Sequence, residues 1–264
     1  MLDRQRYIFD VQGYLVLPGV LDLQQVARLR ALLETRATDP RFGGHFPPRD
    51  DGSVEALDFV GWDAELAALL DNDRVTAVLG ELLGTGYRLD HYYGMRQPRG
   101  TGLLALHGGG HGMDETFYAC KGGQIRTGLT VVSWALSDTP AAGGGFACVP
   151  GSHKANFSLP EFADAFFAGE IVALPEAPDL VREVPVKAGD VLVFTEALAH
   201  AATTWQGEDA RWALLFKYCP GWASWARHRP PSSATLTELT ERQRLLFEAP
   251  YVESPRDATT LGVS

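Results

Sequence analysis

Two histidines far apart in the chain, His107 and His200, and an arginine eleven residues after the second, Arg211, form the set best suited to chemistry in this sequence. Two imidazoles brought together from distant strands, with a fixed cation nearby, are what a catalytic iron site needs. His107 ends the run Leu104-Ala-Leu-His and is followed by Gly108-Gly109-Gly110, which leaves room beside the ring. That room suits a metal with a bound cosubstrate, and it equally suits a plain tight turn. His200 follows the turn pair Gly189-Asp190 and the apolar run Val191–Phe194.

The carboxylate that would complete such a site is harder to place. Glu196 stands four residues before His200. Along a straight strand the two would be roughly 13 Å apart, so they meet on one ion only if the chain bends between them. Without the bend, Glu196 is a buried supporting acid or a surface residue. Arg211 opens an apolar stretch that runs to Tyr218. A buried unpaired charge is costly. Its partner is either a small dicarboxylate gripped by the guanidinium fork or a structural bridge to Glu208 or Asp209. His153, in Val149-Pro-Gly-Ser-His-Lys154, is a third imidazole, placed in a Pro-Gly turn that favours a structural role as much as a ligand role.

These residues need a scaffold, and the sequence changes texture along its length. Tyr14–Leu17 reads as a short strand, and Asp22 as the cap of a helix carried by Leu23, Val26, Leu29, Leu32 and Leu33. A second helical region runs from about Asp63 to Leu83, with Asn72 capping its second half and Gly84 as its stop. From about Tyr87 to Pro220, short apolar runs alternate with Gly, Pro and Asp. They are Leu103–Leu106, Gly128–Leu136, Gly145–Val149, Val184–Val186, Val191–Phe194 and Trp212–Tyr218. Many short strands without intervening helices predict a β-sandwich or barrel of jelly-roll type. Leu159–Leu180 is longer and less regular, as expected of a loop over a barrel mouth. Thr235-Leu-Thr-Glu238 has capping-box spacing before a helix reaching about Phe247. A single domain is expected, with a helical part at about 20–85, a β core at about 87–220 and a C-terminal helix at about 235–248.

Composition narrows the partners. The chain has 264 residues and a net charge of −10, which argues against nucleic acid or an anionic membrane surface. No apolar run approaches the roughly 20 residues of a membrane span. Three scattered cysteines without C-x-x-C spacing suit a reducing cytosol, so a cytoplasmic protein acting on a small molecule is expected. Oligomeric state is not legible.

Five segments, in order, resemble the phytanoyl-CoA dioxygenase family over about residues 8 to 221. They are Asp10–Gly19, then His107, then Leu129–Asp138, then Val149–Lys154, then Gly189–Phe194 with His200 behind it. The resemblance implies a double-stranded β-helix (a cupin-like jelly roll) with flanking helices. It also implies Fe(II), 2-oxoglutarate and O₂, and oxidation of an unactivated C–H bond of a small molecule. His107 and His200 would be iron ligands, Arg211 would grip the far carboxylate of 2-oxoglutarate, and His153 would be structural. Gln97 and Thr130 fall on strands expected to line the cosubstrate pocket, with Trp134 and His111 as substrate contacts.

One position departs from the pattern. The family's usual H-x-D would put an acid two residues after His107, and this chain has Gly109 there. Three accounts follow. Another acid replaces it, Glu196 before Asp114 or Glu115; or a halide fills the vacancy, as in related iron halogenases with Gly or Ala at the acid position; or the chain is a non-enzymatic jelly-roll binding protein. Tyr118, Trp205, Trp222 and Trp225 are further candidates for the mouth of the site. Lys121, Arg126 and Arg99 are candidates for local positive charge, or simply solvated surface.

Overall fold

Short polar side chains set the N-terminal elements where free amides need partners. The computed structural model describes residues 1–102, 104–108, 116–157 and 180–251. It begins with helix α1 (Asp3–Gln12), closed by Gly13 at φ 82°, and strand β1 (Tyr14–Leu17). Asp22 caps α2 (Leu23–Thr38), its carboxylate accepting from the Gln25 amide at 2.8 Å. After β2 (Val54–Ala56) come α3 (Ala64–Ala67) and α4 (Asp73–Leu83). Asn72 caps α4 by accepting from the Arg74 amide at 3.1 Å, and Gly84 stops it. Both helices fall within the single region expected between Asp63 and Leu83.

The β core follows in chain order: β3 (Arg88–Gln97), β4 (Leu104–His107), β5 (Tyr118–Lys121), β6 (Gln124–Thr127), β7 (Thr130–Ala135), β8 (Gly145–Cys148), β9 (Arg182–Glu183), β10 (Val191–Thr195), β11 (His200–Thr203) and β12 (Arg211–Cys219). Their pairing gives a six-stranded sheet ordered β1-β10-β7-β12-β3-β2 and a four-stranded sheet ordered β4-β11-β8-β9, with β5-β6 as a separate hairpin. Every registered pair is antiparallel. This is the jelly roll with flanking helices that the sequence predicts.

Alternation along the strands divides the apolar residues between two cores. Val132 and Trp134 of β7 and Trp212, Leu214 and Phe216 of β12 join Phe9, Leu29, Leu33, Leu70 and Leu79 in the core under the helices. Val131 and Ala135 of β7, with Leu192 and Phe194 of β10 and Cys148 of β8, fill the space between the sheets. The remaining inward positions of β3, β7 and β12 face a cavity in that same space.

Two expectations shift. The C-terminal helix is two short helices, α5 (Ser233–Glu238) and α6 (Glu241–Leu245). Thr235 lies inside the first, which Ser232 caps. Leu239, extended at ψ 149°, separates the two helices, and the capping box belongs to Thr240 and Gln243 of the second. Residues 159–179 of the expected mouth loop lie outside the described residues. Among the described residues, no helix is long and apolar enough to cross a membrane.

Candidate metal centre

Strand pairing brings the two histidines together. In the β4–β11 pair, His107 and His200 are direct register partners, and their ring centroids lie 4.1 Å apart. The chain between β10 and β11 makes the bend that Glu196 requires. The Leu198 amide donates to the Thr195 carbonyl at 2.9 Å, and the turn folds Glu196 back over His200. One ligand atom from each of His107, Glu196 and His200 falls within 4.8 Å of the others.

Glycine makes this approach possible. Gly108 has φ +70°, and a Cβ there would stand 2.6 Å from the Glu196 carbonyl oxygen and 2.7 Å from that of Leu198. No L side chain fits between these backbone atoms, so the segment after His107 can lie against the 196–198 turn only as glycine.

The donor set asks for a cation. His200 is buried, and its Nδ1 donates to the Leu198 carbonyl at 2.7 Å. Nε2 then carries the lone pair. Burial first, and the nearby His107 ring second, push the His200 imidazole down to about 3, so it is neutral at physiological pH. That lone pair faces the Oε2 of Glu196 at 3.6 Å, beyond hydrogen-bond range. Two acceptors aimed at each other in a buried space repel unless a positive ion stands between them. Ligands about 2.0–2.2 Å from one ion lie about 3–4 Å apart, so the separation suits a shared metal.

The other Glu196 oxygen is engaged elsewhere. Its Oε1 accepts from Lys217 Nζ at 2.7 Å, and both side chains are mostly buried. Burial works against charge on Glu196, but the Lys217 ammonium beside it favours the carboxylate and lowers its pKa.

From this cluster a cavity of about 220 Å³ runs along the inner faces of β3 and β12. Arg211 lies in its wall, buried, with Nε donating to Thr139 Oγ1 at 3.2 Å and Nη1 donating to Gln97 Oε1. Gln97 is its register partner on β3. Burial pushes the Arg211 guanidinium down to about 10, which leaves it charged. Among the described residues no carboxylate pairs with it; neither Glu208 nor Asp209 makes the bridge that sequence allowed. A buried cation hydrogen-bonded only to neutral oxygens is a socket for an anion.

The pattern of the phytanoyl-CoA dioxygenase family (PhyH) matches residues 9–213. The chain belongs to the phytanoyl-CoA dioxygenase family. HygX from Streptomyces hygroscopicus, solved with nickel and 2-oxoglutarate bound, superposes with a TM-score of 0.72 at 29% identity, covering 86% of this chain and 90% of that one. HygX has also been solved with iron bound, and this chain matches that structure with a TM-score of 0.71 at 28% identity over 86% of itself and 90% of HygX. Ectoine dioxygenase of Stutzerimonas stutzeri (strain A1501) is 29% identical over 150 residues, which is 55% of this chain and 48% of that protein, so the match spans about half the length of that curated relative. The family match takes in His107, Glu196, His200 and Arg211.

Other expected site residues lie elsewhere. Thr130 does not line the cavity; its hydroxyl is buried against Thr127 Oγ1 and the Gly128 carbonyl. Trp134 points into the core under the helices. Both are even-numbered on β7, and Ser133, of opposite parity, faces the cavity instead. Gln97 does line the cavity. His111, Asp114 and Glu115 lie outside the described residues, as does Gly109. His153 stands apart from the cluster. It donates to the Asp10 carbonyl at 3.1 Å and packs edge-on against Tyr118. Trp205, Trp222, Trp225, Tyr118, Lys121, Arg126 and Arg99 are not among the lining residues. The polar residues that sequence reasoning missed are Lys217, Tyr93, Arg49, Asp51 and Ser133. Lys217 carried the same signal as Arg211, a cation inside an apolar strand.

Proposed function

We propose that this chain is an Fe(II)- and 2-oxoglutarate-dependent oxygenase that oxidises a C–H bond of a small molecule. The supporting observation is the buried triad of His107, Glu196 and His200, with the His200 lone pair aimed at a carboxylate oxygen. In this reading those three side chains hold iron, and Arg211, steadied by Gln97 and Thr139, takes the distal carboxylate of 2-oxoglutarate. Iron with 2-oxoglutarate and O₂ supplies a two-electron oxidant, with succinate and CO₂ as coproducts.

The protein's own part is orientation and exclusion. The Leu198 carbonyl fixes the tautomer of His200, so that Nε2 and not Nδ1 is offered. Held by these three side chains, the ion would keep positions for cosubstrate and O₂. Phe146, Phe194, Ala213 and Leu215 make the cavity walls apolar, which keeps water from the reacting carbon. Glu196 supplies the acid missing at Gly109, so a halide is not needed to complete the site.

Anaerobic Fe(II) titration tests this. Wild-type protein binds one Fe(II), and His107→Ala, His200→Ala and Glu196→Ala each lose more than the roughly 100-fold that removing a mere supporting partner costs. With substrate, one succinate forms per product. Equal Fe(II) affinities in wild type and the three variants would sink the proposal and favour a binding module.

A further inference from the structure

A carboxylate that serves a metal through one oxygen must have its other oxygen held elsewhere. In Glu196 the two oxygens are separated in this way: Oε1 accepts from Lys217 at 2.7 Å, and Oε2 faces His200 at 3.6 Å. Lys217 sits on β12, opposite His91 of β3 and Val131 of β7, so backbone ladders on both sides fix its Cα. The Tyr93 ring flanks its ammonium, 5.9 Å from centroid to Nζ. An isolated buried ion pair adds little stability over apolar packing. Stability therefore explains this pair poorly, and placement explains it better.

We propose that Lys217 is a positioning residue that makes Glu196 a one-oxygen ligand. The assignment rests on the reading of Glu196 as a ligand. Three single-atom ligands leave three of six positions on iron. These would suffice for a chelating cosubstrate and an oxidant. Were both Glu196 oxygens to bind, one of those positions would close. Lys217 retains Oε1 and keeps it open.

The test uses Co(II), whose visible spectrum reports coordination number, in the full chain. Lys217→Met releases Oε1, and the Co(II) spectrum is expected to move toward higher coordination. The affinity of the Co(II) protein for 2-oxoglutarate is expected to fall about tenfold or more, the usual consequence of losing a partner behind a metal ligand. Lys217→Arg, which can still hold the oxygen, restores both. Lys217→Gln carries the test if the Met variant does not fold, since its shorter neutral amide also releases Oε1. A wild-type spectrum with wild-type 2-oxoglutarate affinity in either folded variant overturns the assignment. Glu196→Ala separates the two levels. If it keeps the wild-type Co(II) spectrum, Glu196 is not a ligand at all; if it loses that spectrum while Lys217→Met keeps it, only the role of Lys217 falls.

Discussion

His107 and His200 face each other directly across the β4–β11 pair, with ring centroids 4.1 Å apart. The residue after His107 must therefore pass between that pair and the 196–198 turn. Gly108 is the only residue type whose backbone fits there. Gly108→Ala is expected to cost about 1–3 kcal/mol from the positive φ alone, and more from the two carbonyl oxygens it would strike. At about 2–4 °C per kcal/mol for a chain of this size, melting of the metal-free protein should fall by several degrees, and Fe(II) affinity should fall with it. Unchanged melting and unchanged affinity would show that the turn can yield.

Arg211 sets stability against function. It is a buried charge whose hydrogen-bond partners, Thr139 and Gln97, are neutral. Arg211→Met removes that charge, so the melting temperature without cosubstrate is expected to hold or rise. The 2-oxoglutarate affinity should fall about 10- to 150-fold, the value of a hydrogen bond to a charged group. Differential scanning fluorimetry with and without 2-oxoglutarate reads both effects. A variant that loses stability but still binds 2-oxoglutarate would mark Arg211 as structural.

Halide independence is a third expectation. With Glu196 beside the two imidazoles, the site has its carboxylate. Exchanging chloride for acetate in the assay should leave product and rate unchanged. A chlorinated product, seen by mass spectrometry, would mean that Glu196 does not occupy the position that Gly109 leaves open.

His153 supplies a pH dependence that lies away from the metal centre. Burial is the main cause that pushes its imidazole down to about 4, and among the described residues its Nδ1 has no hydrogen-bond partner. The folded state favours the neutral ring. Between pH about 6.5 and about 4 the unfolded chain therefore holds the extra proton, and stability falls as pH falls through that window. The loss is about 2–3 kcal/mol at most. His153→Gln should flatten this part of the stability profile, measured by denaturant unfolding at stepped pH. A profile identical to wild type would reassign the pH dependence to other groups.

Capping and alternation carried most of the fold into view from sequence. Asp22, Asn72 and Gly84 mark real helix boundaries because a free amide or a left-handed stop leaves a local signature. The runs at β7, β8, β10 and β12 read as strands for the same local reason. The long strand Arg88–Gln97 was harder to read. Its residues mix Arg, Asp, His, Tyr and Gly, because one face meets the helices and the other lines the cavity with Tyr93, Met95 and Gln97. At the site, His107, His200 and Arg211 were legible by type and order. Glu196 was legible only as a candidate, since its approach depends on a turn that spacing does not reveal. Thr130 and Trp134 were misplaced by one residue of parity, and a period-two pattern buried on both faces does not say which face is which.

Strand β12 carries Arg211 near one end and Lys217 six residues on, about 20 Å along the strand. The first is the anion socket and the second holds Glu196. Because β12 is laddered to β3 on one side and β7 on the other, it can shift only in two-residue steps of about 6.6 Å without turning its side chains outward. Both anchors ride on this one strand, so the span between their Cα atoms is set by its pitch and moves with neither neighbour. A substitution in the cavity wall can change what either side chain holds, but the distance between their points of attachment belongs to the strand.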